Sequence, residues 1–296
     1  MKLVKPKSEI LIQQPGLEGI YKQIELAGRH CYKSLDKITD GSAKPFVDRM
    51  IKSGHTAMLE AGTVYLKAID WDHNPLGHYW TNKYSKVKEV HLKTEYCQSD
   101  VSYKYAYYVT TNYRVIIENG WQDDLQYLCE PTEHHEKRYT FKVTTSIGVT
   151  RELNRHRVNS IAESSTRYCN YSKDKFGNEI TFCIPSWMNI PEGSYCDHDV
   201  AFMEELNEYK FYLHMLDSAE SNYMYLIEQG LQPQQAREVL PLCTATEAVY
   251  TAFESDWNHF FDLRYFESTG KVHPNMKELT TLMYKEYESY KKEKRN

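Results

Sequence analysis

At 296 residues, with 41% hydrophobic and 26% charged side chains, the chain has the balance of an ordinary soluble globular protein, long enough for one large domain or two small ones. A formal net charge of −5 excludes a general nucleic-acid binder, because neutralising many phosphates takes a basic field that is absent here, so any phosphate site has to be local. The 7 cysteines are odd in number and form no CxxC pair, which argues against a disulfide framework or a metal site and for reduced thiols.

No signal peptide is evident, and no apolar run approaches the roughly 20 residues of a membrane span, so a cytoplasmic protein is expected. The 25 tyrosines suit subunit interfaces and half-wet ligand pockets, or reflect a biased composition.

In chain order, residues 16–34 read as a helix with Ile20, Ile24 and Ala27 at helical spacing. A second helix is expected from Lys44 to Ser53, stopped by Gly54, and a strand at Thr63–Leu66. From Asp70 to about Val101 the chain is polar, aromatic and weakly periodic, and reads as an insertion or lid.

Strand signals resume at Tyr105–Val109 and at Tyr113–Ile117; a helix is expected over Trp121–Cys129 and a strand over Tyr139–Thr144. Thr150–Arg157 is placed on a helix that leaves as a serine-rich loop. The longest helical pattern is Asp199–Gln229, closed by Gly230. A short helix from Gln234 to Leu240, a strand at Ala248–Phe253, a helix from Asp256 to Arg264 and a terminal helix from Asn275 to Lys292 complete the chain. With neither repeat nor linker, one α+β domain over residues 1–296 with a lid at about 70–101 is the simplest account.

The chemistry concentrates in Arg155–Tyr168, RHRVNSIAESSTRY, which gathers Arg155, His156, Arg157, Glu163, Ser164, Ser165, Thr166 and Arg167 with little to bury. Guanidinium groups beside small hydroxyls suit phosphate or carboxylate recognition, while Glu163 is left to accept hydrogen bonds. A structural ion-pair network fits the same residues, and spacing alone leaves both readings open.

Ser165 with His156 could suggest a hydrolase, but no GxSxG elbow surrounds it. His134-His135 beside Glu136 lacks the HExxH pattern and reads as a solvated turn, so no metal site is expected. No P-loop or GxGxxG occurs. His55 stands after a helix-ending glycine, and Arg264 borders an aromatic wall of Trp257, Phe260 and Phe261, where a snorkelling surface arginine is the plain alternative.

Arg155-His156-Arg157, seven residues, then Ser165 and Arg167-Tyr168, resembles the signature of the flavin-dependent thymidylate synthases, the ThyX family. RHCYKS around Cys31, GHTAMLE around His55, AREVLPL around Arg237, and Arg264 at the expected distance beyond it extend the resemblance over about residues 16–290. It implies a ThyX-like catalytic domain with a central, mostly antiparallel sheet flanked by helices.

It also implies a homotetramer whose active sites are shared between subunits, with no nucleic-acid or membrane partner. Such enzymes make dTMP from dUMP with methylenetetrahydrofolate as carbon donor and NADPH-reduced FAD as hydride source. Carried over by position, Cys31, His55, Glu60, Arg155, His156, Arg157, Val158, His259 and His273 would bind FAD. Glu152, Glu163, Ser164, Ser165, Thr166, Arg167 and Arg237 would hold dUMP, and Arg264 would contact the uracil as the catalytic cation.

Five positions depart from the family pattern and bear on these assignments. Glu152 replaces a frequent glutamine, Ala61 a frequent histidine, Phe253 and His259 stand where asparagines often approach the flavin, and His273 follows a short insertion. A non-catalytic nucleotide-binding or regulatory homologue is the alternative reading.

Overall fold

The computed structural model describes residues 1–71, 74–92, 104–157, 159–173, 177–196 and 208–294. Its centre is an antiparallel sheet of four strands in the order β2 (Lys7–Leu11), β6 (Arg138–Ser146), β10 (Ala245–Phe253), β7 (Ser160–Glu163). β10 runs the full length of β6, pairing Ala245 with Ser146 and Phe253 with Arg138. Along its other edge it carries β7, with Ala248 opposite Glu163.

Alternation divides the side chains of these strands between two faces. Tyr139, Phe141, Val143, Ala248 and Tyr250 pack on α4 (Ile147–Leu153), α7 (Glu254–Arg264) and α8 (Pro274–Glu293) through Val149, Trp257, Phe261 and Met283. Burying one such large side chain contributes about 1.5–3 kcal/mol. The opposite face meets α1 (Gly16–Cys31) through Ala27, Ala61, Ala162 and Val249.

Two smaller sheets flank this centre. β3 (Thr63–Trp71), β5 (Lys104–Asn112) and β4 (Lys86–Leu92) form an antiparallel sheet in the order β3-β5-β4. Its buried residues share a core with α1 and α2 (Ala43–Lys52), where Gly28 comes so close to Phe46 that a Cβ there would lie 2.4 Å from the ring. The third sheet joins β1 (Lys2–Val4) to β8 (Thr181–Cys183) and β9 (Gly193–Ser194), and packs on α5 (Lys210–Glu228). The expected α+β class with an antiparallel central sheet is what the chain adopts.

Several sequence-based expectations change. Tyr113–Ile117 is helical, α3 (Tyr113–Glu118), because the Asn112 side chain accepts the Val115 N–H and caps a turn that β-branched residues alone would not favour. Gln122–Tyr127 is a short 3-10 helix rather than an α-helix. The helix expected at Thr150–Arg157 starts earlier, where Ser146 accepts the Val149 N–H, and ends at Leu153. Arg155, His156 and Arg157 therefore lie in the following turn.

Ser160–Glu163, expected as loop, is strand β7. Within the span expected as a lid, Asp70 and Trp71 end β3, Gly77–Thr81 forms a 3-10 turn and Lys86–Leu92 is β4; residues 72–73 and 93–101 fall outside the described residues. Residues 199–207 of the expected long helix also lie outside them.

His135 is not in a solvated turn. It is 5% exposed, its Nε2 lies 3.0 Å from the Leu66 carbonyl, and its Nδ1 accepts the Thr132 N–H. Burial holds its pKa below the usual histidine range.

Candidate active site

The loop after β7 is tied to the chain on both sides. Ser164 donates its N–H to the Glu247 carbonyl, and Ser165 donates its N–H to the Cys31 carbonyl. The Cys31 thiol donates to the Glu163 carbonyl at 3.0 Å, and burial, followed by the neighbouring Cys169 and Glu163, pushes it up to about 11. Cys31 is thus a neutral thiol that anchors the serine loop.

Residues 164–166 wrap one wall of a cavity of about 310 Å³ whose lining also includes Glu163, Ile147, Thr246 and Arg237. Arg237 follows α6 (Pro233–Ala236), which Pro233 starts and where Gln235 Oε1 accepts the Gln232 N–H. Its Nη1 donates to Thr166 Oγ1 at 3.1 Å. Arg167 stays exposed, reaching the same helix by donating from Nε to Gln234 Oε1 at 3.1 Å. Both guanidinium groups keep donors to spare, and Ser165 and Thr166, each with a hydroxyl, line the cavity beside Arg237.

A second cluster lies where α4 ends. Arg264, the last residue of α7, donates from Nε to His156 Nε2 at 3.3 Å and stands 3.7 Å from the Glu152 carboxylate through Nη1. His156 packs edge-on against Phe260, with ring centroids 4.8 Å apart. Burial, then Arg264 and His259, lowers its pKa to about 4, so at neutral pH the ring is uncharged and accepts from Arg264. The Arg264 side chain is 26% exposed.

α4 joins the clusters. Glu163 accepts from Thr150 Oγ1 at 2.8 Å and from Asn154 Nδ2 at 3.4 Å, while Glu152 on the same helix faces Arg264. Asn154 is held in turn by the Tyr250 hydroxyl, which donates to its Oδ1 at 2.8 Å.

The remaining candidates are more dispersed. Arg155 and Arg157 are exposed, and no carboxylate pairs with either among the described residues. Val158 lies outside the described residues. Glu60 is engaged by Arg114, whose Nη1 is 2.5 Å from Oε1; Arg114 also donates from Nε to Glu118. His55 follows Gly54, whose φ of +72° closes α2, and it meets the Tyr32 hydroxyl at 3.5 Å. His273 caps α8 by accepting the Asn275 N–H and faces Trp187.

Ser165 and His156 do not form a nucleophile–base pair. Ser165 Oγ accepts the Arg167 N–H, whereas His156 Nε2 is occupied by Arg264. Thr150 and Asn154, which hold Glu163, were not singled out from sequence, although their place in the turns before Arg155 could have suggested it. Arg138, buried behind Phe253, carried no sequence signal at all.

Among solved structures similar to this chain is the UMP/dUMP methylase PolB from Streptomyces cacaoi bound with 5-Br UMP. It is 15% identical with a TM-score of 0.43, the alignment covering 97% of this chain and 90% of that one. The same methylase bound with 5-Br dUMP is also 15% identical, with a TM-score of 0.41 and coverage of 98% and 91%. The family model described as thymidylate synthase complementing protein, Thy1, matches residues 99–290, a span that contains the whole Arg155–Tyr168 motif together with Arg237 and Arg264. With most of its length matched, the chain belongs to the Thy1 family, the ThyX family that its motif resembles.

Proposed function

We propose that this protein is a flavin-dependent thymidylate synthase that methylates dUMP to dTMP, with methylenetetrahydrofolate as carbon donor, FAD as bound cofactor and NADPH as reductant. The observation that carries the reading is the convergence of Glu163, Ser164, Ser165, Thr166 and Arg237 on one cavity.

The nucleotide phosphate would lie against Ser165, Thr166 and Arg237, with Arg167, hydrogen-bonded to Gln234 of α6, beside it. Each is a charge-assisted or hydroxyl donor suited to a phosphate oxygen. Glu163, oriented by Thr150 and Asn154, is an acceptor for a sugar hydroxyl. Arg264 would face the pyrimidine and stabilise negative charge developing on its carbonyl edge. Neutral His156 and Glu152 keep that guanidinium in one orientation.

The residues fit a flavin on chemical grounds. Arg155 and Arg157 present unpaired cations to a pyrophosphate among the described residues, and the uncharged His156 can lie against an uncharged ring system. When bound, FAD supplies the hydride that completes the methyl group. The protein orients the nucleotide and screens it from water, and no protein nucleophile is needed. Several copies of the chain would share each site in a homotetramer.

Purified protein is expected to be yellow and to oxidise NADPH faster when dUMP is added. A colourless protein that takes up no FAD on titration defeats the reading. Uptake of FAD and dUMP without NADPH oxidation points instead to a non-catalytic homologue.

A further inference from the structure

Arg138 opens β6 with its side chain inside the protein, 9% exposed. Its Nη1 donates to the Glu60 carbonyl and to Thr63 Oγ1, both at 3.2 Å. Its Nη2 donates to the same carbonyl at 3.2 Å and to Ser160 Oγ at 2.9 Å. The guanidinium also stands 5.6 Å from the centroid of Phe253. Every one of these acceptors is neutral, and among the described residues no carboxylate is within ion-pair distance. A buried cation that meets carboxylates, those of Glu60 and Asp256, only beyond ion-pair distance is costly, so a neutral side chain would serve better if the task were packing alone.

The location of its partners indicates another task. Glu60 and Thr63 flank the end of the turn Thr56–Ala61, which carries the GHTAMLE residues. Ser160 opens β7 three positions after Arg157. One guanidinium therefore hydrogen-bonds to both chain segments assigned above to the flavin. Glu60 is held at its other end by Arg114 of α3, so two arginines outside the family motifs fix its main chain and its carboxylate separately.

We propose that Arg138 is a positioning residue of the flavin site: it sets the spacing between the Glu60 turn and the Arg155–Arg157 segment, and through that spacing the affinity for FAD. This inference rests on the flavin reading given under the proposed function. A planar, five-donor fork can bind a carbonyl and two hydroxyls at fixed angles, which a lysine ammonium cannot.

The test is FAD titration by flavin fluorescence quenching on parent protein, Arg138→Lys and Ser160→Ala. dUMP affinity by calorimetry and Tm are measured on the same preparations. Losing one charge-assisted hydrogen bond, Ser160→Ala is expected to weaken FAD binding about tenfold, and Arg138→Lys at least as much, with dUMP affinity within about twofold of the parent. Visible circular dichroism of the bound flavin should change in both variants.

FAD affinity equal to the parent's in folded variants overturns the proposal and leaves the flavin reading intact. Parallel loss of FAD affinity, dUMP affinity and Tm also overturns it, since a purely structural residue behaves that way. A parent that binds no FAD ends both. If Arg138→Lys does not fold, Ser160→Ala, which keeps the arginine, decides alone.

Discussion

The cavity beside Arg237 and the cluster around Arg264 both hold arginines among hydrogen-bonding groups, yet they are built differently. Around the cavity the cations are more open to solvent: Arg237 donates to one hydroxyl and its carboxylate neighbour Glu238 is 76% exposed, so water screens that pair, and the exposed Arg167 holds a single amide. Arg264 has more shielded partners on two sides, Glu152, 33% exposed, and an uncharged His156 backed by Phe260. A phosphate carries the same charge before and during reaction, so solvent-exposed donors bind it adequately and chiefly affect KM. Charge that develops only in the transition state rewards a donor already in place, because no reorganisation is then needed, and this raises kcat.

The largest expected effect tests the shielded side of that contrast. Arg264→Lys keeps the charge but loses the fork that spans Glu152 and His156. We expect kcat for dTMP formation to fall about a hundredfold, the range for removing one preorganised donor. FAD content measured from absorbance should change far less. Unchanged turnover would remove Arg264 from the reacting centre.

Arg237→Gln tests the solvent-open side. Loss of a charged donor to phosphate should raise the KM for dUMP about 10- to 100-fold with kcat nearly retained, the value of a hydrogen bond to a charged group. Steady-state kinetics across a dUMP series separates the two parameters. A fall in kcat at saturating dUMP with unchanged KM would reverse the roles given to the two clusters.

Much of this arrangement is legible in the sequence, for specific reasons. α1, α7 and α8 announce themselves by apolar spacing, and β10 by a β-branched and aromatic run. The serine loop and Arg237 are found because a long motif fixes their identities. What escapes is short or depends on distant partners. β1, β8 and β9 have three, three and two residues, too few for a periodicity to show.

Tyr113–Ile117 misleads because its β-branched residues favour a strand, while the deciding group is the Asn112 side chain before it. Arg138 occupies the polar phase of Arg138–Thr140–Lys142–Thr144 in β6, which reads as solvent-facing. Only the packing of the Thr56–Ala61 turn and β7 against that end of the sheet buries it.

The smallest expected effect concerns the group that holds Arg264 in place. In the folded protein His156 titrates at about 4, whereas an unfolded chain carries a histidine near the ordinary value of about 6.5. Above that value both states hold the ring neutral and the difference contributes nothing to the pH dependence. As pH falls from about 6.5 to about 4 the unfolded state binds a proton that the folded state refuses, so stability is lost progressively across that window. Below it both states are protonated and the loss is complete.

Because the ring is only partly shielded, about 1 kcal/mol per pH unit is an upper expectation. His156→Gln keeps an acceptor for Arg264 and has no titrating group. Its Tm should therefore decline less than the parent's between pH 6.5 and 4, while the two proteins run parallel above pH 7. Equal slopes through the acid window would mean that His156 protonates in the folded state as readily as in the unfolded one. The neutral acceptor that fixes Arg264 would then be present only above the ordinary histidine range.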